Sequence, residues 1–101
     1  MKNLTPIVVW NNNAIKYFKK AIDRIKEDSL QNAEEVKTGI MKVVDSLIDH
    51  PEKFPKDVFK INNDGSYRAF EKFSLRITYK VTPLEINILR VRHVKREPKN
   101  F

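Results

Sequence analysis

The sequence predicts an α+β fold of order β-α-α-β-β-β, with an N-terminal helical hairpin packed on one face of a small antiparallel sheet. Three observations carry this. Apolar residues recur at three- and four-residue steps through two successive stretches between Ala14 and Ile48, the period of helices with one buried face. Residues 75–81 alternate strictly, with Leu75, Ile77, Tyr79 and Val81 on one side and Arg76, Thr78 and Lys80 on the other, as in a half-buried strand. A short β-branched and aromatic run, residues 5–10, precedes the first helix and reads as an opening strand with Pro6 at its edge. At 101 residues and 11.9 kDa the chain has material for one core, so residues 1–101 are expected to form a single domain.

The elements follow in order. Asn11, Asn12 and Asn13 supply amide acceptors for the free N–H groups of a first turn, which places a helix start near Asn13. Ala14, Ile15, Phe18, Ala21, Ile22 and Ile25 then form its core stripe. Asp28 and Ser29 interrupt the period. Ser29 is the N-cap expected for a second helix, whose stripe is Leu30, Ala33, Val36, Ile40, Val44, Leu47 and Ile48. Glu34 and Glu35 near its start suit the helix dipole, and His50-Pro51 ends it, because the residue before proline leaves the helical region. His50 reads as a surface or C-terminal capping histidine. Residues 51–65 form an extended loop that closes on the turn signal Asn63-Asp64-Gly65. Three strands complete the chain: residues 67–73, residues 75–81, and, after the turn Thr82-Pro83-Leu84, residues 85–93.

The sheet face turned away from the helices carries the functional expectation. If Ile77 and Tyr79 face the helices, Arg76 and Lys80 project from the other side. Alternation assigns Leu89 and Val91 to the core and Arg90 and Arg92 to the open face. It also sends His93 inward, unless a strand end or bulge frees it.

Charge is distributed to match. The net charge is +7, yet residues 1–65 carry eleven Lys and Arg against ten Asp and Glu, while residues 66–101 carry nine against three. Five of the six arginines, Arg68, Arg76, Arg90, Arg92 and Arg96, lie in that last third, and a guanidinium fork suits phosphate and carboxylate. Concentrated in this way, the arginines point to an anionic partner. The absence of cysteine excludes a disulfide framework, a thiolate metal site and a cysteine nucleophile. The apolar run Ile7, Val8, Val9, Trp10 is too short for a signal core or a membrane span, so the expectation is a soluble, cytoplasmic protein with no membrane role. No helix-turn-helix spacing, RNP signature or zinc-ligand set is present in the sequence.

The run Tyr67-Arg68-Ala69-Phe70-Glu71-Lys72-Phe73-Ser74-Leu75-Arg76-Ile77-Thr78-Tyr79-Lys80-Val81 is followed by Ile88-Leu89-Arg90-Val91-Arg92-His93 and Arg96-Glu97-Pro98. Together these segments resemble the C-terminal half of RelE/ParE superfamily toxins, the toxins of type II toxin–antitoxin, or plasmid stabilisation, systems. The hairpin link Glu27-Asp28-Ser29 with Ala33 downstream, and residues 47–51 at its close, resemble the ParE side in particular. The likeness covers nearly the whole chain.

The resemblance implies a growth-arresting toxin neutralised by a cognate antitoxin, whose acidic or amphipathic C-terminal segment wraps it. ParE-like members poison DNA gyrase, the reading that the helical hairpin favours. RelE-like members cut mRNA in the ribosomal A site, and a non-toxic basic nucleic-acid-binding domain is the remaining alternative. In the nuclease reading Arg76 matches the arginine on the scissile phosphate, Arg68 a basic position on the preceding strand, His93 the acid for the leaving oxygen, and Glu71 a general base. Such a cut needs a base at the 2′-hydroxyl, cations on the phosphate and an acid at the 5′ oxygen. Val94 stands after His93, where the nuclease pattern has tyrosine or another polar residue. Arg68, Arg76, Lys80, Arg90, Arg92 and Arg96 are the expected partner- or nucleic-acid-binding residues, and no cofactor or metal is called for.

Overall fold

The computed structural model describes residues 5–96 and 100–101. Strand β1 (Ile7–Trp10) leads into helices α1 (Asn12–Asp28) and α2 (Leu30–Ser46), and a long loop then delivers β2 (Tyr67–Lys72), β3 (Leu75–Val81) and β4 (Glu85–His93). This is the predicted α+β order.

The helix boundaries follow from their caps. Asn11 Oδ1 accepts from Asn13 N at 2.8 Å, so α1 begins one residue before the expected start. Ser29 serves both helices: its N–H donates to Ile25 O at the close of α1, and its Oγ accepts from Asn32 N at the opening of α2. One extended residue therefore makes the whole hairpin link. Ala14 and Phe18 of α1 and Val36, Ile40 and Val44 of α2, with Leu47 just beyond, bury the two stripes against Phe70, Leu75, Ile77, Tyr79, Ile86, Ile88 and Val91 of the sheet, while Leu30, expected in the second stripe, is exposed in the first turn of α2. Tyr79, fully buried, donates its hydroxyl to Pro51 O at 2.9 Å, which satisfies the one polar atom of that ring in the core. Burial pushes its hydroxyl pKa up.

The sheet order is β1-β4-β3-β2. The last three strands form the predicted antiparallel meander, but β1 runs parallel to β4, Ile7 opposite Glu85 through Trp10 opposite Ile88. The sheet is therefore mixed. The expectation of a purely antiparallel sheet fails at this one strand, because a four-residue strand separated from its partner by a helical hairpin carries no local signal of direction.

A second correction lies in β4. Thr78 pairs with Arg90 and Tyr79 with Ile88, so Leu89 is an extra residue, a bulge. Ile86, Ile88 and Val91 reach the core, and Leu89, assigned there by strict alternation, is half-buried instead. The bulge lets two core isoleucines precede Arg90 and Arg92 without turning those arginines inward. His93 pairs with Leu75 on the helix side of the sheet but stands exposed at the strand end.

The β2–β3 connection has two residues, Phe73 and Ser74, with φ of 53° and 64°. Two left-handed residues are what a tight I′ hairpin requires, and here neither is glycine. The Phe73 ring lies on α2 at Gly39, where an added Cβ would come within 2.4 Å of Phe73 Cε2. No described helix is long and apolar enough to cross a membrane.

Candidate functional site: a cationic sheet face anchored on a buried carboxylate

Directly paired residues share a face, so the register sorts the predicted site residues. Arg76 pairs with Glu71 and Arg92, Thr78 with Ala69 and Arg90, and Lys80 with Tyr67 and Asn87, all on the side away from the helices. Arg76, Lys80, Arg90 and Arg92 therefore gather as expected. Arg68 does not join them. It pairs with Tyr79 on the helix side, and its Nη1 donates to Phe54 O at 2.7 Å in the loop. Its Nε is buried without a hydrogen-bond partner among the described residues.

The face is not bare. Residues 55–57 run along the outer edge of β2, with Asp57 N donating to Tyr67 O and Ala69 N to Pro55 O. That path carries Asp57 under the sheet, where its side chain is 1% exposed. Asp57 Oδ1 accepts from Arg76 Nη2 at 2.9 Å and from Phe59 N at 2.9 Å, and Oδ2 accepts from the Thr78 hydroxyl at 2.7 Å. Burial works to raise this carboxyl, but the bonds from Phe59, Thr78 and Arg76 outweigh it and hold the pKa below the usual aspartate value. Arg76 in turn gives Nη1 to Glu71 Oε2 at 2.9 Å and lies over the Phe59 ring, 4.8 Å from its centroid. One guanidinium thus sits between two carboxylates and an aromatic face.

Around this anchor Arg90 and Lys80 contact rings. Arg90 lies over Phe101 at 4.0 Å and Lys80 over Tyr67 at 5.2 Å, while Tyr67 and Phe101 meet edge to face. Burial, then repulsion from Arg92 and Arg76, lowers the Arg90 pKa from its ordinary value. A guanidinium remains charged under such a shift, so the effect is a face that gains by meeting an anion.

Glu71, Arg76, Arg92, His93 and Arg96 line one small cleft of about 240 Å³, with Phe59 and Val94. His93 Nδ1 accepts from Lys95 N at 3.1 Å, which leaves Nε2 to carry the proton of a neutral ring. Of the residues expected in a catalytic set, Arg76, Glu71 and His93 share this cleft, and Arg68 lies on the other face. Asp57 and Phe59 were missed by sequence reasoning. The available signal was an aspartate two residues after Pro55 in a loop, a residue type that closes Asx turns on the backbone two residues on, as Asp57 does with Phe59 N. Among the described residues no group of His, Asp or Glu could hold a metal ion.

Comparison with known proteins bears on the fold and the family. A search of curated proteins returns no match. A solved chain described as the chromosomal ParDE TA system from P. aeruginosa is similar at a TM-score of 0.70 and 16% identity, covering 93% of this chain and 100% of that one. At that identity the likeness speaks for the fold. The sequence model of the ParE toxin of the type II toxin–antitoxin system parDE matches residues 8–98. A match over that span, on a fold of this order, means that the chain belongs to the ParE toxin family of type II toxin–antitoxin systems.

Proposed function

We propose that this toxin arrests growth by binding DNA gyrase without doing chemistry, and that a cognate antitoxin neutralises it through an acidic or amphipathic segment. It would act in the cytoplasm as a single domain over residues 1–101. The observation that carries this reading is the state of Arg76. A guanidinium that stabilises charge growing on a phosphate must meet that charge. Arg76 is instead neutralised by Asp57 and Glu71 and capped by Phe59, the arrangement of a strut that ties the loop to the sheet. Glu71 spends an oxygen on the same pair, so the candidate base is engaged as well. The remaining cations, Lys80, Arg90, Arg92 and Arg96, form the anion-seeking surface that an acidic partner would engage.

The test is a pair of assays on one preparation: supercoiling by gyrase and cleavage of ribosome-bound mRNA. Inhibited supercoiling with intact mRNA is the expected result. Cut mRNA with unaffected supercoiling would overturn the proposal. That opposite outcome is the RelE-like reading, which one observation favours: Glu71, Arg76 and His93 line a common cleft.

A further inference from the structure

A larger cleft, about 570 Å³, lies between α1 and the β2–β3 turn and shares only His93 and Arg96 with the site residues used above. Along one stripe of α1 stand Tyr17, Lys20, Ala21, Arg24 and Ile25, and facing them are Phe73, Leu75, His93 and Arg96. Its floor is apolar and its rim cationic. Lys20 and Arg24 are one turn apart on exposed positions, and Arg96 lies over the Tyr17 ring at 5.5 Å. Among the described residues Asp28 is the one carboxylate in the lining. Among the described residues the ion pairs are those of Arg76, so Lys20, Arg24 and Arg96 hold no carboxylate there.

Two further features decide the chemistry of the ligand. His93 and Arg96 belong both to this cleft and to the smaller one on the sheet face, so the cations continue over the end of β4 to Arg92. The result is a track and not a point. Aromatic rings recur along it: Tyr17 and Phe73 in the larger cleft and Phe59 in the smaller. Phe73 is 45% exposed, although its turn holds it in a left-handed conformation. A basic groove with aromatic rings spaced along it is how proteins hold a single nucleic-acid strand, cations on the phosphates and rings under the bases.

We propose that the cleft between α1 and the β2–β3 turn binds a single nucleic-acid strand, with Lys20, Arg24 and Arg96 on its phosphodiesters and Phe73 against a base. This inference does not rest on which large target the toxin engages. An acidic peptide is the competing occupant, and the recurring rings favour the strand, because every base presents a face to stack.

The experiment is fluorescence anisotropy of labelled single-stranded DNA and RNA of about 12 nucleotides, within the usual span of such grooves. Three phosphate contacts give a slope of log affinity against log salt of about −2, or roughly a 20-fold loss between 50 and 200 mM salt. The combined variant Lys20→Glu, Arg24→Glu, Arg96→Glu should abolish that slope. Phe73→Ala should weaken binding about tenfold and leave the slope unchanged, the scale of one lost stacking contact. The control is Lys26→Glu, Lys37→Glu, Lys42→Glu, which changes net charge equally on helix positions outside the cleft and should bind far better than the cleft variant. Equal loss in the two triple variants would reduce the effect to overall charge and overturn the proposal. So would tighter binding of duplex DNA or of an oligoglutamate of matched charge.

Discussion

Asp57 and Arg76, nineteen residues apart in the chain, meet at 2.9 Å where the loop before β2 crosses the sheet, the carboxylate side chain 1% exposed and the guanidinium 17%. The pair joins a segment without regular structure to the central antiparallel strand. Removing one member leaves the other partly desolvated and short of a partner.

Asp57→Asn should therefore destabilise the domain by about 3 kcal/mol, the lower end of the range for breaking a buried ion pair, since Arg76 keeps Glu71. Urea denaturation monitored by circular dichroism measures it. Replacing both residues with leucine should recover much of that loss, because no orphaned charge remains. A loss below about 1 kcal/mol for Asp57→Asn would class the pair with exposed salt bridges.

The same carboxylate predicts an acid-labile contribution to stability. Its folded pKa lies below the 3.8 of an unperturbed aspartate, so the unfolded chain takes up the proton first as pH falls. The contribution is fully present above that value and is lost as pH drops through the folded pKa. The stability gap between the wild type and Asp57→Asn should be constant from pH 5 to 7 and close at lower pH. A gap that stayed constant down to complete acid unfolding would contradict the assignment. Asp64, also lowered, by its bonds from Ser66, is common to both proteins and cancels in the difference.

How far the sequence revealed this arrangement depended on whether a feature was periodic. The stripes of α1 and α2 and the alternation of β3 were legible because each repeats over several turns or pleats, and Ser29 was legible as a cap. Leu89 was not: Leu89-Arg90-Val91-Arg92 alternates perfectly by itself, and only pairing with β3 shows that the register slips before it. The face of Arg68 was not legible for a related reason. Tyr67 and Phe70 are both aromatic yet point to opposite faces, so β2 offers no pattern from which to read the direction of its arginine. Asp57 lay in a stretch with no period, and its burial depends on partners found only after folding.

Gly39 and Phe73 give a coupled prediction. Alanine in place of a mid-helix glycine ordinarily stabilises by about 1 kcal/mol. In α2 the new Cβ would meet the Phe73 ring at 2.4 Å, so Gly39→Ala should give less than that or destabilise. In a Phe73→Ala background the obstruction is gone, and the same substitution should give the full gain. A double-mutant cycle by thermal or urea unfolding reads the difference as a coupling energy. Strict additivity would mean that the ring moves aside without cost.

His93→Gln separates binding from chemistry at the candidate site. His93 is exposed at the end of β4, and its Nδ1 accepts from Lys95 N, so glutamine there costs little packing and the variant should fold. If the toxin cut RNA with His93 as the acid, the substitution would slow cleavage by roughly a hundredfold or more, and toxicity would fall with it. If the toxin only binds gyrase, no proton is transferred at His93, and toxicity should stay close to that of the wild type. Growth arrest on induction, with soluble yield and circular dichroism matched between the two proteins, makes the comparison. We expect near-normal toxicity and unaltered inhibition of supercoiling. Loss of both toxicity and ribosome-dependent cleavage in the folded variant, with antitoxin binding intact, would replace the gyrase reading with the nuclease one.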